Sequence, residues 1–183
     1  MIDRLSEILK SRVPEIVSGK DLKPAAVLVP IQEREEGSHL ILTRRGHGVN
    51  SHRGEIAFPG GKVDSTDLGP LDAALRESEE EIGLHPGDVR VLGRLDPVTA
   101  ASIYLVTPFV GLIPFPYQFR LNQAETEAVF SIPISSLMEP DCFQVERRAG
   151  SDRPIYHFYC QNLDIWGATA RIIKQLLELG LGR

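Results

Sequence analysis

Apolar positions along this chain follow two rhythms, and the switch between them sketches the elements. Leu5, Ile8 and Leu9 recur at helical spacing and predict a helix over Ile2–Val17, with Pro14 and Gly19 as punctuation. Ala25–Ile31 is an unbroken apolar run that predicts a buried strand. A charged turn, Glu33–Gly37, separates it from a second strand over His39–Thr43, and the pair reads as a hairpin. Gly46–Gly61 has no period and reads as a long loop ending in Phe58-Pro59-Gly60-Gly61. Loops of that length in compact domains often carry function. Leu71–Ile82 gives the clearest helix, with Gly83 placed to close it in the left-handed conformation. Strands follow over Val89–Leu95, Ile103–Ile113 (interrupted by Pro108), Ala128–Ile134 and Ile155–Cys160. Thr169–Leu179 closes the order as an amphipathic helix. There are too few helices for a doubly wound parallel sheet. The order predicts an α/β (α+β) arrangement, helices around a mixed sheet, in one domain over 1–183.

Composition narrows the function. A net charge of −5 leaves no basic surplus to neutralise a phosphate backbone, so no nucleic-acid partner is expected. No apolar run approaches the ~18 residues of a membrane span, and no signal peptide is read at Met1-Ile2-Asp3-Arg4, so a cytoplasmic protein without a membrane partner is expected. The two cysteines, Cys142 and Cys160, lack metal-ligand spacing and read as reduced thiols. Base rates make a homodimer a plausible assembly.

The chemistry concentrates in Arg76-Glu77-Ser78-Glu79-Glu80-Glu81-Ile82-Gly83-Leu84. On a helix, Glu77, Glu80 and Glu81 stand at i, i+3 and i+4 and share one face across an arc of roughly 100°. Leu71, Leu75 and Ile82 fall on a core-like face, and Glu79 on a third side toward solvent. Like charges so placed cost a few tenths of a kcal/mol per pair. A solvated acidic face is the bland explanation. Converging carboxylates with a Gly-Gly turn upstream, which lets backbone approach a ligand and present a carbonyl, favour a cage for a hard dication instead.

These residues resemble the Nudix box, G-x5-E-x7-R-E-U-x-E-E-x-G-U with U apolar. Gly61, Arg76, Glu77, Glu80, Glu81, Gly83 and Leu84 match its invariant positions. The loop is one residue longer than the standard spacing, Asp67 stands near the first Glu position, and Ser78 replaces an apolar residue. Leu42-Thr43-Arg44-Arg45, Gly54, Phe58-Pro59-Gly60-Gly61 and Ile165-Trp166-Gly167-Ala168-Thr169-Ala170 are similar to motifs of the coenzyme A pyrophosphatase branch. Gly46 and Asn50 stand where that branch has Ser/Ala and Arg.

The resemblance implies a Nudix α/β/α sandwich with a mixed sheet. It also implies a metal-dependent pyrophosphohydrolase that cleaves coenzyme A or acyl-CoA to 3′,5′-ADP and (acyl-)4′-phosphopantetheine. Gly61, Glu77, Glu80 and Glu81 would hold Mg²⁺ or Mn²⁺. Arg76 would orient Glu77, with Glu80 or Glu125 as general base. Arg44, Arg45, His52 and Arg53 would bind the phosphorylated substrate, unless some of them pair with the acidic helix. Trp166 offers a stacking face for adenine, although a lone Trp before an amphipathic helix is more often core. The alternatives are a Nudix hydrolase of ADP-ribose, a dinucleotide or an oxidised nucleotide, and a non-catalytic nucleotide sensor.

Overall fold

The computed structural model describes residues 2–15, 21–46, 54–101, 103–148, 150 and 154–181. Its elements in order are α1 (Ile2–Ser11), β1 (Lys23–Arg34), β2 (Gly37–Arg45), β3 (Ile56–Ala57), β4 (Gly60–Lys62) and α2 (Pro70–Ile82). There follow β5 (Arg90–Arg94), β6 (Val98–Ala100), β7 (Tyr104–Ile113), β8 (Thr126–Pro133), β9 (Phe143–Glu146), β10 (Ile155–Cys160), β11 (Leu163–Trp166) and α3 (Gly167–Leu181). The expected mixed α+β architecture is present. β1 to β8 form an eight-stranded sheet, and β9 to β11 form a separate antiparallel one.

β1 explains why its run of apolar residues has no gaps. Ala26 and Leu28 pack with Ile41, Ala73, Ala74, Ile82 and Leu84 on the α2 side. Ala25, Val29 and Ile31 pack on the opposite side with Leu5 and Leu9 of α1 and Ile172, Ile173 and Leu176 of α3. A strand covered on both faces has no polar alternation. α2 therefore lies on one face, and α1 with α3 on the other.

The sheet splits where the site forms. β1 runs parallel to β7 from Lys23↔Tyr104 to Gln32↔Ile113. On its other edge β1 joins β2 only at the hairpin end, Ile31↔Leu40 to Arg34↔Gly37. Beyond that the two strands diverge. β3 pairs with β2 at Thr43 and Arg44, and β4 pairs with β1 at Ala25–Val27. The stretch expected to be loop up to Gly61 thus ends as two short strands filling a wedge. Its Gly-rich composition hid them, because their pairing partners are distant in sequence.

Other expectations need correction. The first helix stops at Ser11 rather than Val17, since the residue before Pro14 is pushed out of the helical region. Pro108 does not interrupt β7. Its carbonyl accepts from the Leu95 N–H at 2.9 Å, so that edge of Pro108 faces the gap between β5 and β6, where no ladder bond is lost. The buried side of α2 is Ala73, Ala74, Ser78, Glu81 and Ile82, while Leu71 and Leu75 are only half-buried. Ser78, in place of an apolar residue, is fully buried and donates its hydroxyl to the Ala74 carbonyl at 2.6 Å. β6, β9 and β11 were not foreseen. The β10–β11 hairpin turns on Gln161 and Asn162 at φ 51° and 61°, a turn that usually advertises itself with Asn-Gly.

One junction ties α1 and α3 to the strand edge. Asp96 accepts from Arg12 Nη2 at 2.6 Å and from the Glu15 N–H at 2.7 Å, and its own N–H donates to Gln175 Oε1 at 3.1 Å. Partial burial alone would raise the Asp96 carboxyl, but Arg12 and the Glu15 N–H outweigh it and hold it below the ordinary aspartate range. A depressed folded pKa gives stability that is present above the unfolded value and lost as pH falls through the folded one. Asp96→Asn is expected to lower the urea midpoint at pH 7. The gap to wild type should close as pH drops below about 4, and an unchanged gap would show the ion pair to be idle.

Candidate functional site

Two glycines set the geometry, each for its own reason. Gly60 has φ +148°, and a Cβ there would lie 2.3 Å from the Ala26 carbonyl oxygen and 2.6 Å from Val27 Cα. Backbone meets backbone, so nothing can move aside. A Cβ on Gly61 would lie 2.4 Å from the carboxyl carbon of Glu77 and 2.6 and 2.7 Å from its oxygens. The main chain of β4 is therefore pressed directly onto an α2 carboxylate. Glu81 joins from the next turn, accepting from the Gly60 N–H at 3.3 Å.

α2 is held in place at its end. Gly83 takes the left-handed conformation at φ 66°, with its N–H on the Glu79 carbonyl and the Leu84 N–H on the Ser78 carbonyl. This is the expected cap. The carbonyls of Glu81 and Ile82 accept from the Asn122 and Arg120 N–H groups at 3.0 and 2.9 Å. The segment that carries Glu125 is thereby docked on the helix end.

Arg76 is the hub of the acidic cluster. Its Nε and Nη2 grip Asp67 at 2.8 and 3.1 Å, while Nη1 reaches Glu77 Oε1 at 3.0 Å and Glu80 Oε2 at 3.1 Å. Nη2 also lies 3.4 Å from the Lys62 carbonyl. Asp67, near the first Glu position of the box, thus serves as the anchor of this arginine. Its side chain is 2% exposed, and Arg76, aided by the Asp64 N–H, holds its carboxyl below the usual range. Such paired N–H···O bonds fix orientation as well as charge.

The helix carboxylates lie in graded environments. Glu80 is half exposed and Glu79 points to solvent, as expected. Desolvation raises the Glu77 carboxyl despite its Arg76 partner, and Glu80 and Glu125 raise it further by repulsion. Glu81 is buried, and desolvation pushes it to about 7 against the pull of Arg45 and the Gly60 N–H. Glu125 is exposed yet close enough to repel both Glu77 and Glu81, so the structure brings it to the cluster. Among the described residues no three acidic, His or Cys side chains converge as a ready-made cage, and Arg76 and Arg45 pair with the carboxylates.

The basic residues separate. Arg45 Nη1 lies 3.8 Å from Glu81, and its buried Nε has no hydrogen-bond partner among the described residues. Arg44 is turned to Glu127 at 3.6 Å and sits 4.8 Å over the Phe130 ring, so it is engaged away from the acidic helix. His47, Asn50, His52 and Arg53 lie outside the described residues.

Beside Gly60 and Gly61 opens a cavity of about 430 Å³, bounded also by Arg45, Phe58, Tyr104 and Trp166. The preference for Trp166 as a core residue is corrected here, since it is 39% exposed and lines this cavity. Tyr104 carried no sequence signal. Only the parallel pairing of β7 with β1 brings it alongside.

The NUDIX domain family model matches residues 22–153. A curated relative, the uncharacterized Nudix hydrolase NudL of Enterobacter sp. (strain 638), is 39% identical over 163 residues, covering 87% of this chain and 84% of that protein. The fold is similar to the crystal structure of the Nudix hydrolase RenU from M. smegmatis, with TM-score 0.54 and 21% identity over 63% of this chain and 73% of that one. It is also similar to a C. elegans Ap4A hydrolase in a binary complex, with TM-score 0.53 and 17% identity over 61% and 80% of the two chains.

The two glycines should differ on substitution. Gly60→Ala forces backbone apart and is expected to cost more than the ~1 kcal/mol of an ordinary Gly→Ala change at positive φ. Gly61→Ala meets only a side-chain end and should cost clearly less. Urea unfolding of both variants checks this, and equal losses would contradict the distinction.

Proposed function

This chain belongs to the Nudix hydrolase family, whose members act on phosphoric anhydride bonds, and on that premise we propose that it hydrolyses coenzyme A or an acyl-CoA. The observation that carries the substrate assignment is a convergence. Arg45, Phe58, Gly60 and Gly61 of the upstream motif, and Trp166, Gly167 and Ala168 of the downstream one, line one cavity although about a hundred residues separate them. Its Gly60–Gly61 wall is the same backbone that meets Glu77 and Glu81, which suits a binding chamber for one half of a pyrophosphate diester.

Nudix hydrolases generally need divalent metal ions. The residues fit such an ion. The donors are all oxygen, which suits hard dications, and Gly61 lacks the Cβ that would collide with Glu77. Gly61, Glu77, Glu80 and Glu81 would hold Mg²⁺ or Mn²⁺, which when bound neutralises pyrophosphate charge and acidifies water. Arg76, anchored by Asp67, keeps Glu77 and Glu80 oriented. Arg45 supplies positive charge at the cavity wall toward the diphosphate. Water attacks one phosphorus, and the bond to the bridging oxygen breaks. That oxygen leaves with the second phosphate, and the water proton passes to a carboxylate. Glu80 and Glu125, the exposed members of the cluster, qualify as acceptor. The products are 3′,5′-ADP and 4′-phosphopantetheine.

The test is chromatography of products after incubation with Mg²⁺ or Mn²⁺ and coenzyme A, an acyl-CoA, ADP-ribose, NADH or a diadenosine polyphosphate. Preferential release of 3′,5′-ADP from coenzyme A is expected, with a loss of roughly 100-fold or more in Glu80→Gln and Glu81→Gln. Faster cleavage of another compound would retain the family chemistry and overturn the substrate. Binding without turnover on every compound would indicate a sensor.

A further inference from the structure

The catalytic cluster does not use Trp166, and several features of the fold are arranged around it. The indole stands at the end of β11, where Gly167 at φ 66° turns the chain into α3. Its ring is nearly parallel to His157, at 17° and 6.4 Å between centroids. Carboxylates flank both His157 nitrogens, Nδ1 at 2.8 Å from Asp164 and Nε2 at 3.3 Å from Glu146. Tyr159 stacks on the imidazole's other neighbour position, at 7° and 5.6 Å. The His157 ring, itself held by the two carboxylates, stacks on the indole, while 39% of the residue remains open and part of it forms the cavity wall. Ala25, Val27 and Ala168 contribute small apolar surface to the same chamber, and Tyr104 adds a second ring. At about 430 Å³ the chamber exceeds a single heteroaromatic ring system. Its other end is the glycine strand pressed on Glu77.

We propose that this chamber binds the purine base of the substrate, with Trp166 as its stacking wall and His157 as the residue that positions the indole. The inference rests on the reading above that the substrate is an adenine-containing diphosphate. A base is favoured over the flexible pantetheine arm because a flat, pre-oriented indole gains most from a flat partner. Trp166 is then a specificity-determining residue for the half of the molecule that does not react.

The single tryptophan makes the test direct. Its fluorescence in the full chain, without added metal, is followed during titration with AMP, 3′,5′-ADP and 4′-phosphopantetheine. Saturable quenching by the two adenine nucleotides, and none by phosphopantetheine, is expected. Trp166→Ala should weaken product inhibition by 3′,5′-ADP, or AMP binding measured by calorimetry, by roughly tenfold, while Trp166→Phe stays within about threefold of wild type. His157→Ala should lie between them, with kcat retained and KM raised. Quenching by phosphopantetheine alone, or unchanged nucleotide affinity in Trp166→Ala, overturns the inference. The two readings fail separately. Nucleotide quenching in a protein that leaves coenzyme A intact supports the base site and removes only coenzyme A. Coenzyme A turnover with an unchanged KM in Trp166→Ala removes only the base site.

Discussion

The close approach of β4 to both β1 and α2 is the constraint on which the rest depends. β1 and β2 are zipped at their hairpin end and part company beyond it, and the short strands β3 and β4 fill the space between them. Gly60 meets the Ala26–Val27 backbone on one side, and Gly61 meets Glu77 on the other. A methyl group on Gly60 would force β4 off the β1 backbone, and one on Gly61 would displace the Glu77 carboxylate. The Gly60 N–H on Glu81 and Arg76 Nη2 on the Lys62 carbonyl bond β4 and α2 directly.

Electrostatics then divides the cluster into parts. Three glutamates on one helix face repel each other, and burial adds to the cost at Glu77 and Glu81. Arg76 on the helix offsets that cost at Glu77, and Arg45 from β2 offsets it at Glu81. Arg76 can grip Glu77 and Glu80 at once because Asp67 takes its other edge. The arrangement holds the acids oriented while burial and mutual repulsion keep Glu77 and Glu81 raised. The cavity beside Gly60 and Gly61 is built by other means. α3 and the small sheet supply apolar and aromatic surface, and the Asp96 junction ties α3 to the segment between β5 and β6.

Local patterns in the chain were sufficient for what depends on local geometry. The i, i+3, i+4 spacing placed Glu77, Glu80 and Glu81 on one face and Glu79 outside it, and Gly83 marked the helix end. The two-sided burial of β1 followed from its unbroken apolar run. The box motif pointed to the family because it encodes a turn and a helix contiguous in sequence. What remained illegible depended on partners far along the chain. Nothing in Arg44-Arg45 says which one meets the acidic helix; pairing of β2 with β8, and the bulge between those two residues, turns Arg44 to Glu127 and Arg45 to Glu81. Asp67 looked like a displaced box residue until a nine-residue loop closure laid it against Arg76. Trp166 looked like core until the second sheet put it at a cavity edge. Periodicity records which face of an element is apolar. It does not record what lies across from that face, and that was decided by the splayed sheet.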